Sequence, residues 1–251
     1  MLKARIIPTL LYKDFGLVKG TAFDSRRAVG SPMQAIKVYE LRGVDELVFL
    51  DVTATLQDRS PDAELIDELA DECFMPLTVG GGVKTVDDVR RLLDVGADKV
   101  CIGTAAVEQP SVVEEAASRF GSQCVVVSID TRATPVGLRV WTRSGTNDAD
   151  RDPVDLAREL ADRGAGEILL QSVERDGTMT GYDLDAIRLV SRAVSIPVIA
   201  SGGAGSYLHL LEALTYGEAS AVAAASMFHF TEQTPREAKD YLGAHGIAVR
   251  R

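Results

Sequence analysis

The chain has 251 residues, of which 46% are hydrophobic, and a formal net charge of −10. That length and apolar content fit a large core and suggest one α/β domain, a (β/α)8 TIM barrel over residues 1–251. The acidity excludes a nucleic-acid face, which needs a basic patch, but not small phosphorylated ligands, which backbone amides and one or two lysines can hold.

No apolar run approaches the roughly 20 residues needed to cross a bilayer, so no membrane association is expected. MLKARIIPTLL at the N-terminus reads as a first strand rather than a signal peptide. Cys73, Cys101 and Cys124 are odd in number and lack metal-ligand spacing. They read as reduced, buried thiols in a cytoplasmic protein. His209, His229 and His245 are scattered, so neither a metal nor a cofactor is expected.

Eight apolar strand candidates alternate with eight amphipathic helix candidates. The strands are Arg5–Leu11, Glu46–Asp51, Leu77–Val79, Lys99–Ile102, Cys124–Asp130, Glu167–Gln171, Val198–Ser201 and Ala221–Ala224. Most are short unbroken apolar runs, as in parallel strands covered on both faces. Thr85-x-x-Asp88, Ser111-x-x-Glu114 and Thr234-x-x-Glu237 are capping-box patterns. Gly96, Gly164 and Gly217 are expected to stop helices. Two connections are long. Lys13–Ser31 carries Phe15, Gly16, Lys19, Gly20 and Phe23, and Thr131–Asp152 carries LRVWTR, one arm of a small hairpin. In barrels of this kind the loops after strands face the active site, so both read as lids, with a decorative insertion as the alternative.

The strongest pattern is a pair of glycine-rich strand ends, TVGGGVKT at Thr78–Thr85 and IASGGAGS at Ile199–Ser206. Gly81 and Gly202 are 121 residues apart, about half the chain. Such turns expose backbone amides that hold phosphate. Their duplication suggests two half-barrel repeats and a substrate with an anion at each end. Gly82, Gly103 and Thr104 are expected to form one cup. Asp176, Gly177, Gly203, Ala225 and Ser226 are expected to form the other.

Asp51 and Asp130 each close an apolar strand, where a partly desolvated carboxylate suits acid–base work. Either Asp alone reads equally as a cap for the following loop; together with the glycine turns they favour catalysis. Lys19, flanked by Val18 and Gly20, either closes over a ligand phosphate or is simply solvated. Arg5, Glu46, Lys99 and Glu167 begin four of the strands, on the opposite face. By spacing alone they read as a stabilising ion-pair layer; a ring closing the barrel mouth is the sharper alternative.

VDELVFLDVTAT, TVGGGV, GADKV, GSQCVVVSID, RGAGEILLQSVERDGTMTGYD, IASGGAG and SMFHF carry a resemblance over nearly the whole chain. The chain resembles the cyclase subunit of imidazole glycerol phosphate synthase. The resemblance implies a glutaminase partner docked on the barrel bottom. It implies ammonia crossing the interior to a phosphorylated substrate at the top. Arg5, Glu46, Lys99 and Glu167 would be the charged ammonia gate. Lys19, Asp51, Asp130, Gly177 and Gly203 would be active-site or phosphate positions, with Asp130 as general base.

The sequence departs from that pattern where it matters most. Leu11 stands where the family's second catalytic aspartate closes the first strand; Gly103 replaces an asparagine and Gln171 a threonine. TLLYKDFGLVKG, ELADECFMPLTVGGGVKT, DKVCIGTAA and SMFHFTEQTP instead resemble the acetamidino-modification branch associated with surface polysaccharides. That resemblance implies ammonia delivery in concert with a glutaminase and a separate sugar amidotransferase.

Overall fold

The computed structural model describes residues 3–14 and 16–250; Phe15 lies outside them. In chain order, β1 (Arg5–Lys13), β2 (Gly16–Thr21) and β3 (Asp24–Gly30) precede α1 (Pro32–Leu41). β4 (Leu47–Asp51), α2 (Ala63–Ala70), β5 (Leu77–Gly80), α3 (Val86–Asp94) and β6 (Lys99–Ile102) follow, then α4 (Thr104–Glu108) and α5 (Ser111–Phe120). The second half holds β7 (Val125–Thr134), β8 (Gly137–Thr142), β9 (Asn147–Asp148), α6 (Pro153–Asp162), β10 (Glu167–Ser172), α7 (Leu184–Ala193) and β11 (Val198–Ser201). It ends with α8 (Tyr207–Thr215), β12 (Ala221–Ala224), α9 (Ser226–Phe230) and α10 (Pro235–Ala244).

β1, β4, β5, β6, β7, β10, β11 and β12 pair in parallel, in that cyclic order, and close on themselves. Among the described residues, helices follow the barrel strands on the outside, and the fold is the expected (β/α)8 barrel. One apolar core lies between strands and helices, with Ile6, Leu10, Phe49, Val79 and Ile168 among its members. A second fills the barrel: Ile7, Val48, Cys101, Val126, Leu169, Ile199, Ala221 and Ala223. The strand period of two separates the sets, since Ile6 and Leu10 face outward while Ile7 faces in. Fully burying each large aliphatic side chain contributes roughly 1.5–3 kcal/mol. Among the described residues no helix is long and apolar enough to cross a membrane.

The half-barrel repeat is visible in the register. Leu11 pairs with Leu50 between β1 and β4, and Asp130 pairs with Gln171 between β7 and β10. Both β1 and β7 run on into antiparallel hairpins, Leu11 opposite Val18 and Asp130 opposite Trp141. The two long connections are therefore extensions of barrel strands. β1 continues to Lys13 and β7 to Thr134, beyond the expected ends, because each hairpin supplies the ladder partners.

Local signals are met in part. Thr85 and Thr234 form complete capping boxes with Asp88 and Glu237. Ser111 does not cap α5. It is the first helical residue, and Pro110 holds the cap position because α4 ends immediately before. Nor is Gly217 the left-handed residue after α8; Glu218 is, at φ 58°. Gly217 serves close approach instead, as a Cβ there would lie 2.6 Å from the Ala213 carbonyl oxygen. Two helices, α4 and α9, are only five residues long.

Candidate active site

Both glycine turns fold against the neighbouring strand end. Gly81 has φ 101°, and a Cβ on it would lie 2.1 Å from the Asp51 carbonyl oxygen; Gly202 has φ 85°, and its Cβ would lie 2.6 Å from that of Ser172. Only glycine meets both demands.

Two adjoining pockets open at the C-terminal ends of the barrel strands. Gly82, Gly103, Thr104 and Asp130 line the first, with Leu11, Leu50, Cys101 and Gln171. Asp176, Gly177, Gly203, Ala225 and Ser226 line the second, with Thr9, Leu11 and Gln171. Leu11 and Gln171 belong to both, so the pockets form one trough across the barrel mouth. The two groups of phosphate-cup residues lie at its two ends.

Asp130 accepts a hydrogen bond from Ser128 Oγ at 2.9 Å. Burial pushes its carboxyl up to about 6; the Ser128 bond opposes the shift and nearby Asp176 adds to it. Lys19, on β2, is only 2% exposed, and its Nζ donates to the Thr9 carbonyl oxygen at 2.8 Å. Burial pushes its amine down to about 7, against the attraction of Asp176. The Lys19 side chain is thus buried rather than solvated. The hairpin tip lies over the second pocket, where Ala22 N donates to the Asp176 carbonyl oxygen at 2.8 Å.

Asp51 stands apart from these groups. It follows inward-facing Leu50 and lines neither pocket. Its Oδ1 accepts from Thr53 N, Thr53 Oγ1 and Ala54 N at 3.0–3.1 Å, and its Oδ2 accepts from Arg59 Nη2 at 2.6 Å. This is the loop-capping arrangement, with the carboxylate saturated by local donors. Asp14, the acid nearest Leu11 in sequence, is exposed and also lies outside both pockets.

At the other end of the barrel four charged side chains close into a ring. Arg5 Nη1 lies 2.8 Å from Glu46 Oε2 and 2.9 Å from Glu167 Oε1. Lys99 Nζ lies 3.0 Å from Glu46 Oε1 and 3.2 Å from Glu167 Oε1. Each carboxylate touches both cations, and Thr78 Oγ1 donates to Glu46 at 2.8 Å. The apolar interior set, Ile7 to Ala223, lies between this ring and the trough.

Sequence reasoning missed Thr9, Thr78 and Ser128. The two-residue strand period was the available signal, since Thr9 precedes Leu11, and Ser128 precedes Asp130, on the inward face. Thr9 Oγ1 is buried without a hydrogen-bond partner among the described residues. Among the described residues no cluster of three or more His, Cys, Asp or Glu is arranged to hold a metal ion.

A closed parallel barrel with glycine turns and tuned titratable groups at the strands' C-terminal ends defines a TIM-barrel protein built for small-molecule chemistry. The chain belongs to the histidine biosynthesis protein family, whose model matches residues 5–234. It is a barrel enzyme of the histidine-biosynthesis type.

Proposed function

We propose that this barrel accepts ammonia from a glutaminase subunit docked at its charged-ring face and supports amidine formation at its trough. The acceptor is an acetamido group on a sugar, or a precursor of it, destined for surface polysaccharide, and a separate sugar amidotransferase completes the system. The ligand is phosphorylated, and Gly177, Gly203, Ala225 and Ser226 hold its phosphate through main-chain amides and a hydroxyl.

Leu11 carries this reading. It occupies the β1 position equivalent to Asp130 on β7 and has no proton to give or take. One positioned acid or base contributes about 10²–10⁴-fold, so a ring closure needing two carboxylates is crippled here. An amidine step needs one base. The partner amidotransferase first places a phosphoryl or adenylyl group from a nucleoside triphosphate on the acetamido oxygen. Ammonia nitrogen then attacks the acetamido carbon, the C–O bond breaks, the oxygen leaves with that group as phosphate or nucleotide, and the surplus proton passes to Asp130. Asp130 is ionised above about pH 6. The apolar interior favours neutral ammonia over ammonium. Ala221 and Ala223 put the smallest side chains of that layer on the β12 side. The gate role of Arg5, Glu46, Lys99 and Glu167 belongs to this same reading.

The alternative is a histidine-pathway cyclase, which the family membership and retained Asp130 favour. A further alternative is a non-catalytic ammonia conduit. Complementation of a histidine auxotroph lacking the cyclase separates them. The proposed function expects no growth from well-folded protein, and growth restores the cyclase. Incorporation of ¹⁵N from amide-labelled glutamine into an acetamidino product, abolished by Asp130→Asn, rules out the passive conduit; incorporation indifferent to that change supports it.

A further inference from the structure

The two ends of the trough have diverged, although the repeat gives them a common design. In the first pocket several of the polar groups that would greet a phosphate already carry bonds within the protein. Gly82 N donates to Thr55 Oγ1 at 3.3 Å, Arg143 N donates to Thr104 Oγ1 at 2.9 Å, and Ser144 Oγ donates to the Val52 carbonyl oxygen at 3.1 Å. Its neighbouring cations are also paired: Arg59 with Asp51, Lys84 with Asp58, Arg143 with Glu108. Arg132 lies over the Trp141 ring at 4.7 Å, outside the lining. What faces the space is apolar (Leu11, Phe23, Leu50, Val83), neutral and polar (Gln171 and four hydroxyls) or, at Asp130, acidic; among the described residues no cationic side chain lines it. A dianion set beside that carboxylate would meet like-charge repulsion in a poorly solvated site.

The second pocket differs in kind: it too holds an acid, Asp176, but the buried Lys19 amine lies within electrostatic reach of that one. Glycine, alanine and serine line most of it, and the buried Thr9 hydroxyl, 5% exposed, has no partner among the described residues. An orphan buried hydroxyl costs about 1–3 kcal/mol, a cost that a bound oxyanion removes. We propose that the ligand has one anionic end only, held in the second pocket. The first pocket takes an uncharged group with apolar surface and a hydrogen-bond donor for Asp130. This rests on the phosphorylated-ligand reading above and overturns the expectation of an anion at each end.

Methyl NMR on the full chain, labelled at Leu, Val and Ala, tests it with two probes. Inorganic phosphate should move the Ala204 and Ala225 signals and leave Leu50 and Val83 in place. N-methylacetamide should move Leu50 and Val83. Gly103→Asp adds a charge where a Cβ has room, 3.8 Å from its nearest neighbour Ser128 Cβ, and should change phosphate affinity less than twofold. Phosphate shifts at Leu50 and Val83 that Gly103→Asp abolishes would establish a second anion site and overturn the proposal, leaving the phosphorylated-ligand reading intact. No response to N-methylacetamide would overturn the uncharged-group assignment. No response to phosphate anywhere would sink both readings.

Discussion

Leu11 and Asp130 are structural equivalents: each pairs with an inward-facing residue of the next parallel strand, Leu50 and Gln171, and each begins a hairpin extension. One half-barrel thus presents a carboxylate where the other presents an isobutyl group. Leu11 is 7% exposed and lines both pockets. Leu11→Asp would bury a second carboxylate in the same trough. The variant should be destabilised by about 3 kcal/mol at pH 7 and by less at pH 5, where protonation relieves the charge. Urea unfolding at the two pH values measures this, and equal stability losses at both would refute it.

Asp130→Asn should stabilise the protein while abolishing amidine chemistry. The folded carboxyl titrates near 6, above its ordinary 3.8. Between those values the folded state holds more protons than the unfolded state, so stability falls as pH rises through that window. The penalty is full above about pH 6 and absent below 3.8. At pH 7.5 the variant should gain roughly 1–3 kcal/mol, and the gain should vanish near pH 4. Thermal melts across pH would report a flat difference if Asp130 titrated normally.

Lys19→Met tests the buried amine, for which the sign is opposite in pH. Its folded value near 7 lies below the ordinary 10.5, so the charged form costs stability below about pH 7, and that cost fades as pH rises toward 10.5. Replacement should stabilise most at pH 6, by about 1–2 kcal/mol after loss of the bond to the Thr9 carbonyl. The gain should shrink steadily to pH 10. A difference that grows with pH would show the amine is not desolvated.

Lys99→Met removes one cation from the closed ring while keeping much of the side-chain volume. Glu46 and Glu167 then share only Arg5. With Glu46 just 2% exposed, the loss should be about 2–4 kcal/mol. In a reconstituted complex with the proposed glutaminase partner, the ratio of product formed to glutamine hydrolysed should fall. A stability loss with unchanged ratio would make the ring structural alone.

Much of this protein was legible from residue order because strand alternation and glycine turns are local. Eight apolar runs, two glycine-rich strand ends and four charged strand starts appear in the sequence without knowledge of the fold, and closing the barrel brought the glycines to its mouth and the charges to its floor. Other features depend on partners distant in sequence. Asp51 and Asp130 look alike as strand-end carboxylates. Arg59 and the Thr53–Ala54 backbone make one a loop cap, while burial beside Ser128 and Asp176 pushes the carboxyl of the other upward. Lys19 was equally readable as solvated until its hairpin folded it beneath the strand ends. Gly82 reads as part of a phosphate cup, yet Thr55 already accepts from its amide. Periodicity and turn chemistry fix which residues arrive at a site, whereas solvation and hydrogen-bond competition, which exist only once the chain has closed, decide what each can do there.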